Sequence, residues 1–284
     1  MPSAYRFPSL QVLLTLVASI LAIRAAGGSG NAMVLQGGAG LVGALVAWGV
    51  AVRAGTPGRL ARWAVPGLAL AVEAYVLTAG VSMEGVRRWI ALGPVQLHAA
   101  SLLVPLAIWA TAGRLEPIAA AMLAGLMVVL ALQPDAASVL ALTLGVAVGL
   151  VDRSRAPRLV AALTALGLAC AGYAFSRHDP LPAVAHVERV IPNAFAASPP
   201  VGIFAALALA ALPLAMLWTR RSLESAALAA VWLGFLLANL IANYPAPVIG
   251  AGAAPVIGWL LSIGLALGRG RENVLRADDP VPTG

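Results

Sequence analysis

Long apolar runs, separated by short punctuation of glycine, proline and arginine, fill most of the chain. Ten runs stand out, at 8–26, 32–52, 62–82, 97–111, 115–132, 136–151, 159–175, 201–218, 225–242 and 253–267. A helix needs about 20 apolar residues to cross the hydrocarbon core, so each run predicts a transmembrane helix. Several runs are shorter. They predict helices that thin the bilayer locally, extend into their loops, or are shielded by neighbours. The fold class expected is all-α: a polytopic membrane protein with ten transmembrane helices, one integral-membrane domain over 1–284, and no β-structure of consequence. The stretch 176–200 predicts the longest outer loop, and 269–284 a cytoplasmic tail.

Composition agrees. Of 284 residues, 61% are hydrophobic and 10% charged, whereas a soluble domain carries about 25% charged residues. There is too little polar surface to cover a soluble globule. All 18 basic residues are arginine, and no basic patch with interleaved aromatics points to nucleic acid. The single cysteine, Cys170, has no internal disulfide partner and reads as a packed residue. Arg6 precedes the first apolar run, but no small-residue cleavage site follows it. The run therefore reads as the first span, not a removed signal peptide.

The net charge of +7 carries topological information. With the N-terminus in the cytoplasm, thirteen arginines fall on that side: Arg6, Arg53, Arg59, Arg62, Arg114, Arg153, Arg155, Arg158, Arg220, Arg221, Arg269, Arg271 and Arg276. Five fall outside: Arg24, Arg87, Arg88, Arg177 and Arg189. This bias predicts cytoplasmic termini. Trp48, Trp63, Trp109 and Trp218 fall near the cytoplasmic ends of spans, where an aromatic belt would sit.

The outward-facing polar residues hold the candidate chemistry. "MEGVRRWIALGPVQLH" (83–98) places Arg87, Arg88 and Trp89 together. They either anchor an interfacial segment, with stems snorkelling to headgroups, or bind an anion such as a lipid diphosphate through arginine's planar donor fork. "LALQPDAASVLAL" puts Asp135 at a turn, where it can cap the next helix. The loop "SRHDPLPAVAHVERVIPNAFAASPP" carries Arg177, His178, Asp179, His186, Glu188 and Arg189. The spacing of His178, His186 and Glu188 matches no established metal motif, and no metal site is expected. Glu73 is the clear mid-span carboxylate, and predicts either a cavity or a bonded interhelical contact.

Three of these segments, in order, resemble the SEDS family of FtsW/RodA-like cell-wall proteins. "GVRRWIALGPVQLHAASLLVPLAIWA" resembles the family's Arg-Trp stretch and the helix after it. "LQPDAASVLAL" resembles its Gln-Pro-Asp-Leu-Gly-Thr turn, and "PAPVIGAGAAPVIGWLLSIGLAL" its C-terminal signature. The resemblance implies a peptidoglycan glycosyltransferase of cell division or elongation, polymerising lipid II in the bacterial cytoplasmic membrane with a transpeptidase or other division-complex partner. It implies Asp179 as the catalytic carboxylate. Arg88 and Trp89 match the Arg-Trp pair, Asp135 the aspartate of the second motif, and His186 a Gln/His position. Arg87, Arg177 and Glu188 join them as candidate substrate-binding residues. A divalent cation, Mg²⁺ or Mn²⁺, could accompany the substrate diphosphate.

The sequence departs from that pattern. "QLHAASL" lacks a Pro-Ser-Glu element, Gly250 and Ala254 replace signature serines, and the outer loop is short. Two alternatives therefore stand beside the enzyme. One is a non-catalytic SEDS-like protein that binds a polyprenyl lipid or a division partner. The other is a lipid flippase or transporter, with Glu73 in a cavity and "GAGAAP" as a broken helix. Gly250 and Gly252, between Pro247 and Pro255, predict an interrupted segment packed near Arg88 and Asp135, or else an ordinary exposed loop.

Overall fold

The computed structural model describes residues 3–151, 156–177, 179–219 and 222–277. The elements, in chain order, are α1 (Ser3–Ala25), α2 (Gly30–Arg53), α3 (Arg59–Ala79), β1 (Val81–Met83), β2 (Val86–Leu92), β3 (Val95–His98), α4 (Ala100–Thr111), α5 (Pro117–Leu132), α6 (Ala136–Val151), α7 (Pro157–Ser176), α8 (Val190–Ala197), α9 (Pro199–Ala211), α10 (Leu214–Thr219), α11 (Leu223–Ile241) and α12 (Ala253–Ala277). Among the described residues five helices are long and apolar enough to span a bilayer, and five shorter apolar helices accompany them. Together they match the ten runs read from the sequence. The protein is a polytopic helical membrane protein. His178, Arg153, Arg155, Arg220 and Arg221 lie outside the described residues, as does the tail beyond Ala277. α12 continues through 269–277, where the sequence predicts the start of a tail.

The expectation of no consequential β-structure needs correction. Residues 81–98 form a three-stranded antiparallel sheet in the order β1-β2-β3. Glu84 and Gly85 both take positive φ, 48° and 83°. That is the conformation of the two-residue turn whose twist suits a hairpin. Gly93, at φ 60°, turns β2 into β3 ahead of Pro94. In β2, buried Val86 and Arg88 share one face. A charged residue on the inward face hides the apolar–polar alternation by which a strand is read.

Helix contacts rely on small residues, as expected where apolar lipid supplies no hydrophobic drive between helices. A Cβ added to Gly234 of α11 would lie 2.5 Å from Ala141 Cα of α6, so only glycine allows that approach. The run 201–218 is split into α9 and α10 just before Leu214. Pro213 removes a backbone donor there; the Leu209 carbonyl accepts the Leu212 N–H at 3.2 Å instead, and the buried Trp259 indole donates to the Leu212 carbonyl at 3.1 Å. At the end of the bundle away from the sheet, Trp48 and Trp218 are exposed. Trp218 stacks on Phe7, and Trp63 donates to Glu116 at 2.8 Å. Three of the four tryptophans expected in an aromatic belt thus share one end of the bundle. Trp109 differs: its indole Nε1 is buried, with no hydrogen-bond partner among the described residues.

Candidate functional site

The candidate site lies where the sheet meets three chain segments: the α5–α6 turn, the loop after α7, and the non-helical stretch between α11 and α12. Strand alternation separates the two adjacent arginines. Arg87 turns to the outer face of β2 and donates to the Thr78 carbonyl at the end of α3. Arg88 turns inward and is 5% exposed. Its Nε donates to the Gln133 carbonyl at 3.2 Å, and its Nη2 to the Pro134 carbonyl at 2.6 Å. Its Nη1 meets Asp179 Oδ2 at 2.9 Å. Among the described residues three of the five guanidinium N–H groups are therefore engaged, which leaves one on each Nη.

Asp179 is mostly buried, at 17% exposed. Its other oxygen accepts the Leu181 N–H at 3.1 Å, which turns the chain locally. Arg88 and Asp179, distant in sequence, thus form one ion pair. Such a pair in a partly desolvated place is weak evidence of stability. Losing one partner is costly, because a buried charge is left alone.

Asp135 performs the capping predicted for it, with Oδ1 accepting the Ser138 N–H at 3.1 Å. Its Oδ2 lies 3.0 Å from His98 Nε2, and His98 Nδ1 lies 2.7 Å from Ser101 Oγ. Burial pushes the Asp135 carboxyl up. The His98 charge and hydrogen bond, with the Arg88 charge and Ser138, outweigh it and hold the group at about 2. His98 sits opposite Trp89 in the sheet, and the two rings meet edge to face.

Tyr244 joins these parts and was not singled out in the sequence. Its hydroxyl donates to the Pro134 carbonyl and accepts the Ala136 N–H, each at 3.0 Å. The Arg88 guanidinium lies 5.6 Å from its ring centroid. Burial and the Asp135 charge push the phenol up to about 12, so it stays a hydroxyl throughout the neutral range. An aromatic hydroxyl just before Pro-Ala-Pro was the one signal available. Gln133 and His98 were equally legible as polar residues in apolar surroundings.

The stretch 242–252 is not helical, as its prolines and glycines predict, and Gly250 is buried. A Cβ on Gly250 would lie 2.5 Å from the Val187 carbonyl. Backbone polar groups here are satisfied by neighbouring helices and by the loop after α7, as buried non-helical backbone requires. Gln36 Nε2 donates to the Val248 carbonyl at 2.7 Å, and Ser19 Oγ to that of Ile249 at 3.0 Å. Ala251 N–H donates to the His186 carbonyl at 2.9 Å. Val248 takes φ 65°, an unfavourable conformation for a β-branched residue, held by these contacts. Gly252 is more open, with only Pro255 near the position of a Cβ. This segment is the wall of the site, joined to it through Tyr244.

The remaining candidates are not brought to the ion pair. Arg177 donates to the Tyr173 hydroxyl at 2.6 Å and stacks over that ring. Glu188 Oε2 accepts the Val184 N–H at 2.8 Å and closes a turn of the loop, with burial pushing its carboxyl up. His186 supplies the backbone carbonyl just described. Glu73 is fully buried against Gln133. Among the described residues no group of three or more His, Cys, Asp or Glu side chains is placed to hold a metal ion. The donor set does not fit a resident divalent cation, since Asp179 is spent on Arg88 and Asp135 on His98 and Ser138.

No protein-family model and no curated protein matches the sequence. Solved structures do match the fold. An aspartate-to-alanine mutant of the Thermus thermophilus rod shape determining protein RodA superposes with a TM-score of 0.67 at 20% identity, covering 96% of this chain and 99% of that one. RodA without that mutation gives 0.64 at 20% identity, covering 93% and 96%. A chain from a structure described as "Structural coordination of polymerization and crosslinking by a peptidoglycan synthase complex" gives 0.67 at 19% identity, covering 96% and 99%. The chain shares the RodA fold over nearly its whole length.

Proposed function

We propose that this protein is a SEDS-like peptidoglycan glycosyltransferase, acting at the outer face of the bacterial cytoplasmic membrane on a polyprenyl-diphosphate-linked disaccharide. The observation that carries this reading is the 2.9 Å pairing of Arg88 with Asp179. The two come from separate motifs that the family resemblance marks, and they meet beside a third, the Gln133–Asp135 turn. The RodA fold supports the same reading, and so does the distribution of arginine along the chain.

The geometry suggests how the chemistry runs. Arg88 has, among the described residues, one unengaged N–H on each Nη for diphosphate oxygens. An arriving diphosphate competes with Asp179 for the guanidinium and releases the carboxylate. Asp179 then takes the proton from the acceptor sugar hydroxyl. The acceptor oxygen bonds to the donor's anomeric carbon as the bond from that carbon to the diphosphate breaks. The electron pair leaves on the polyprenyl diphosphate, whose growing charge Arg88 stabilises. A membrane transpeptidase is the partner proposed with it, because one matching fold comes from a complex that couples polymerisation to crosslinking.

A second reading is a non-catalytic member that binds a polyprenyl lipid. The sealing of Asp179 against Arg88 favours it. Binding of an undecaprenyl-diphosphate-linked disaccharide to the protein in nanodiscs tests the clamp shared by both readings. Arg88→Lys keeps the charge and loses the planar fork, and is expected to weaken binding about tenfold or more, or roughly 1.4 kcal/mol. Equal affinity for wild type and Arg88→Lys would remove the clamp.

A further inference from the structure

Glu73 lies in α3 with 0% of its surface exposed. The Gln133 amide spends its donors on this one residue. Its Nε2 donates to the Glu73 backbone carbonyl at 2.8 Å and to Oε2 at 3.2 Å. Two acceptors remain, Glu73 Oε1 and Gln133 Oε1. Both are buried, and neither has a hydrogen-bond partner among the described residues. No arginine pairs with the Glu73 carboxyl among the described contacts. The titratable groups that act on it are His98 and Asp135, already bonded to each other.

A buried carboxylate without a pairing cation is strongly disfavoured, and each unpartnered buried oxygen adds its own cost. One proton removes both orphans. On Glu73 Oε1 it makes the carboxyl a donor toward Gln133 Oε1. The acid and the amide then form a closed ring in which each donates once and accepts once. We propose that Glu73 is held as a neutral carboxylic acid paired with the Gln133 amide, and that this pair positions the carbonyls that hold Arg88. The main chain of Gln133 and Pro134 carries the two carbonyls to which Arg88 donates. Anchoring the Gln133 side chain to α3 fixes where those carbonyls point. Glu73 is thus a positioning residue, acting through Gln133 on Arg88, with no need to touch substrate.

The test uses the full chain in lipid nanodiscs. The infrared spectrum of wild type minus that of Glu73→Gln should show the carbonyl band of one protonated carboxylic acid at neutral pH, unchanged when sodium or potassium replaces choline. Glu73→Gln restores the ring as an amide–amide pair and should melt close to wild type. Glu73→Leu should lose roughly 4 °C or more. In an Arg88→Gln background the Glu73→Leu loss should shrink by at least half, because members of one hydrogen-bond network are not additive. A missing carboxylic-acid band, or Glu73→Gln as damaging as Glu73→Leu, would overturn the neutral pair. Full additivity with Arg88→Gln would overturn the positioning role. Neither readout uses a lipid-linked sugar, so failure here is separate from failure of the glycosyltransferase reading.

Discussion

Alternation along a single strand gives two adjacent arginines different work. Arg87 caps the end of α3 from outside, while Arg88 enters the site and meets Asp179. Arg88→Ala leaves Asp179 without its cation and is expected to cost about 3–5 kcal/mol in denaturation of the purified protein. Asp135 gives a pH signature. Its carboxyl sits at about 2 in the folded protein, against an ordinary 3.8. The stability it contributes is therefore present above pH 4 and lost as pH falls toward 2. That loss is roughly 2–3 kcal/mol. An Asp135→Asn variant should lack this part of the acid limb, and a limb of unchanged depth would show that Asp135 is not the group responsible. At this scale the sequence marked Arg88, Asp135 and Asp179, which the fold brings near one another, because charge in an apolar chain is conspicuous. It could not separate Arg87 from Arg88, or exclude Arg177, because side-chain direction depends on a strand and a loop that hydropathy does not register.

Elements were legible where a helix was long and apolar, and less so where polar backbone was folded back into the protein. The sheet escaped notice because its inward face carries Arg88 where a strand is expected to be apolar. The break between α11 and α12 was legible, because proline and glycine act on the backbone itself. Its closure by Ser19 and Gln36, and its tie through Tyr244 to Pro134, were not, since those partners lie in α1, α2 and the α5–α6 turn, far away in the chain. The two glycines of that segment should respond differently. Gly250→Ala drives a Cβ into the Val187 carbonyl and should destabilise by about 1–3 kcal/mol. Gly252→Ala meets only Pro255, at an ordinary contact distance of 3.6 Å, and should melt like wild type. Equal tolerance at both positions would mean that Gly250 is not packed against the loop. Tyr244→Phe removes the hydroxyl that bridges Pro134 and Ala136, and should cost about 1–3 kcal/mol.

For the molecule as a whole, the ten apolar helices among the described residues predict an even number of spans, and the arginine distribution predicts cytoplasmic termini. Reporters fused after Gly55 should read cytoplasmic and one after Pro182 external; the reverse pattern would put the Arg88–Asp179 site on the wrong side for an exported lipid-linked sugar. The RodA fold persists here at about one-fifth identity, with a short loop delivering Asp179 to the sheet. The fold therefore rests on the pattern of apolar helices and small-residue contacts, and the proposed chemistry on the few polar residues gathered at one end. Polymerisation of purified lipid II in proteoliposomes, comparing wild type with Asp179→Asn in the presence of the partner transpeptidase, tests that assignment most directly. Glycan strands from wild type, with a loss of about 100-fold or more in the variant, as expected for removal of a general base, are the predicted result. Equal polymerisation by both proteins, or none by a folded wild type that binds lipid II, would contradict it.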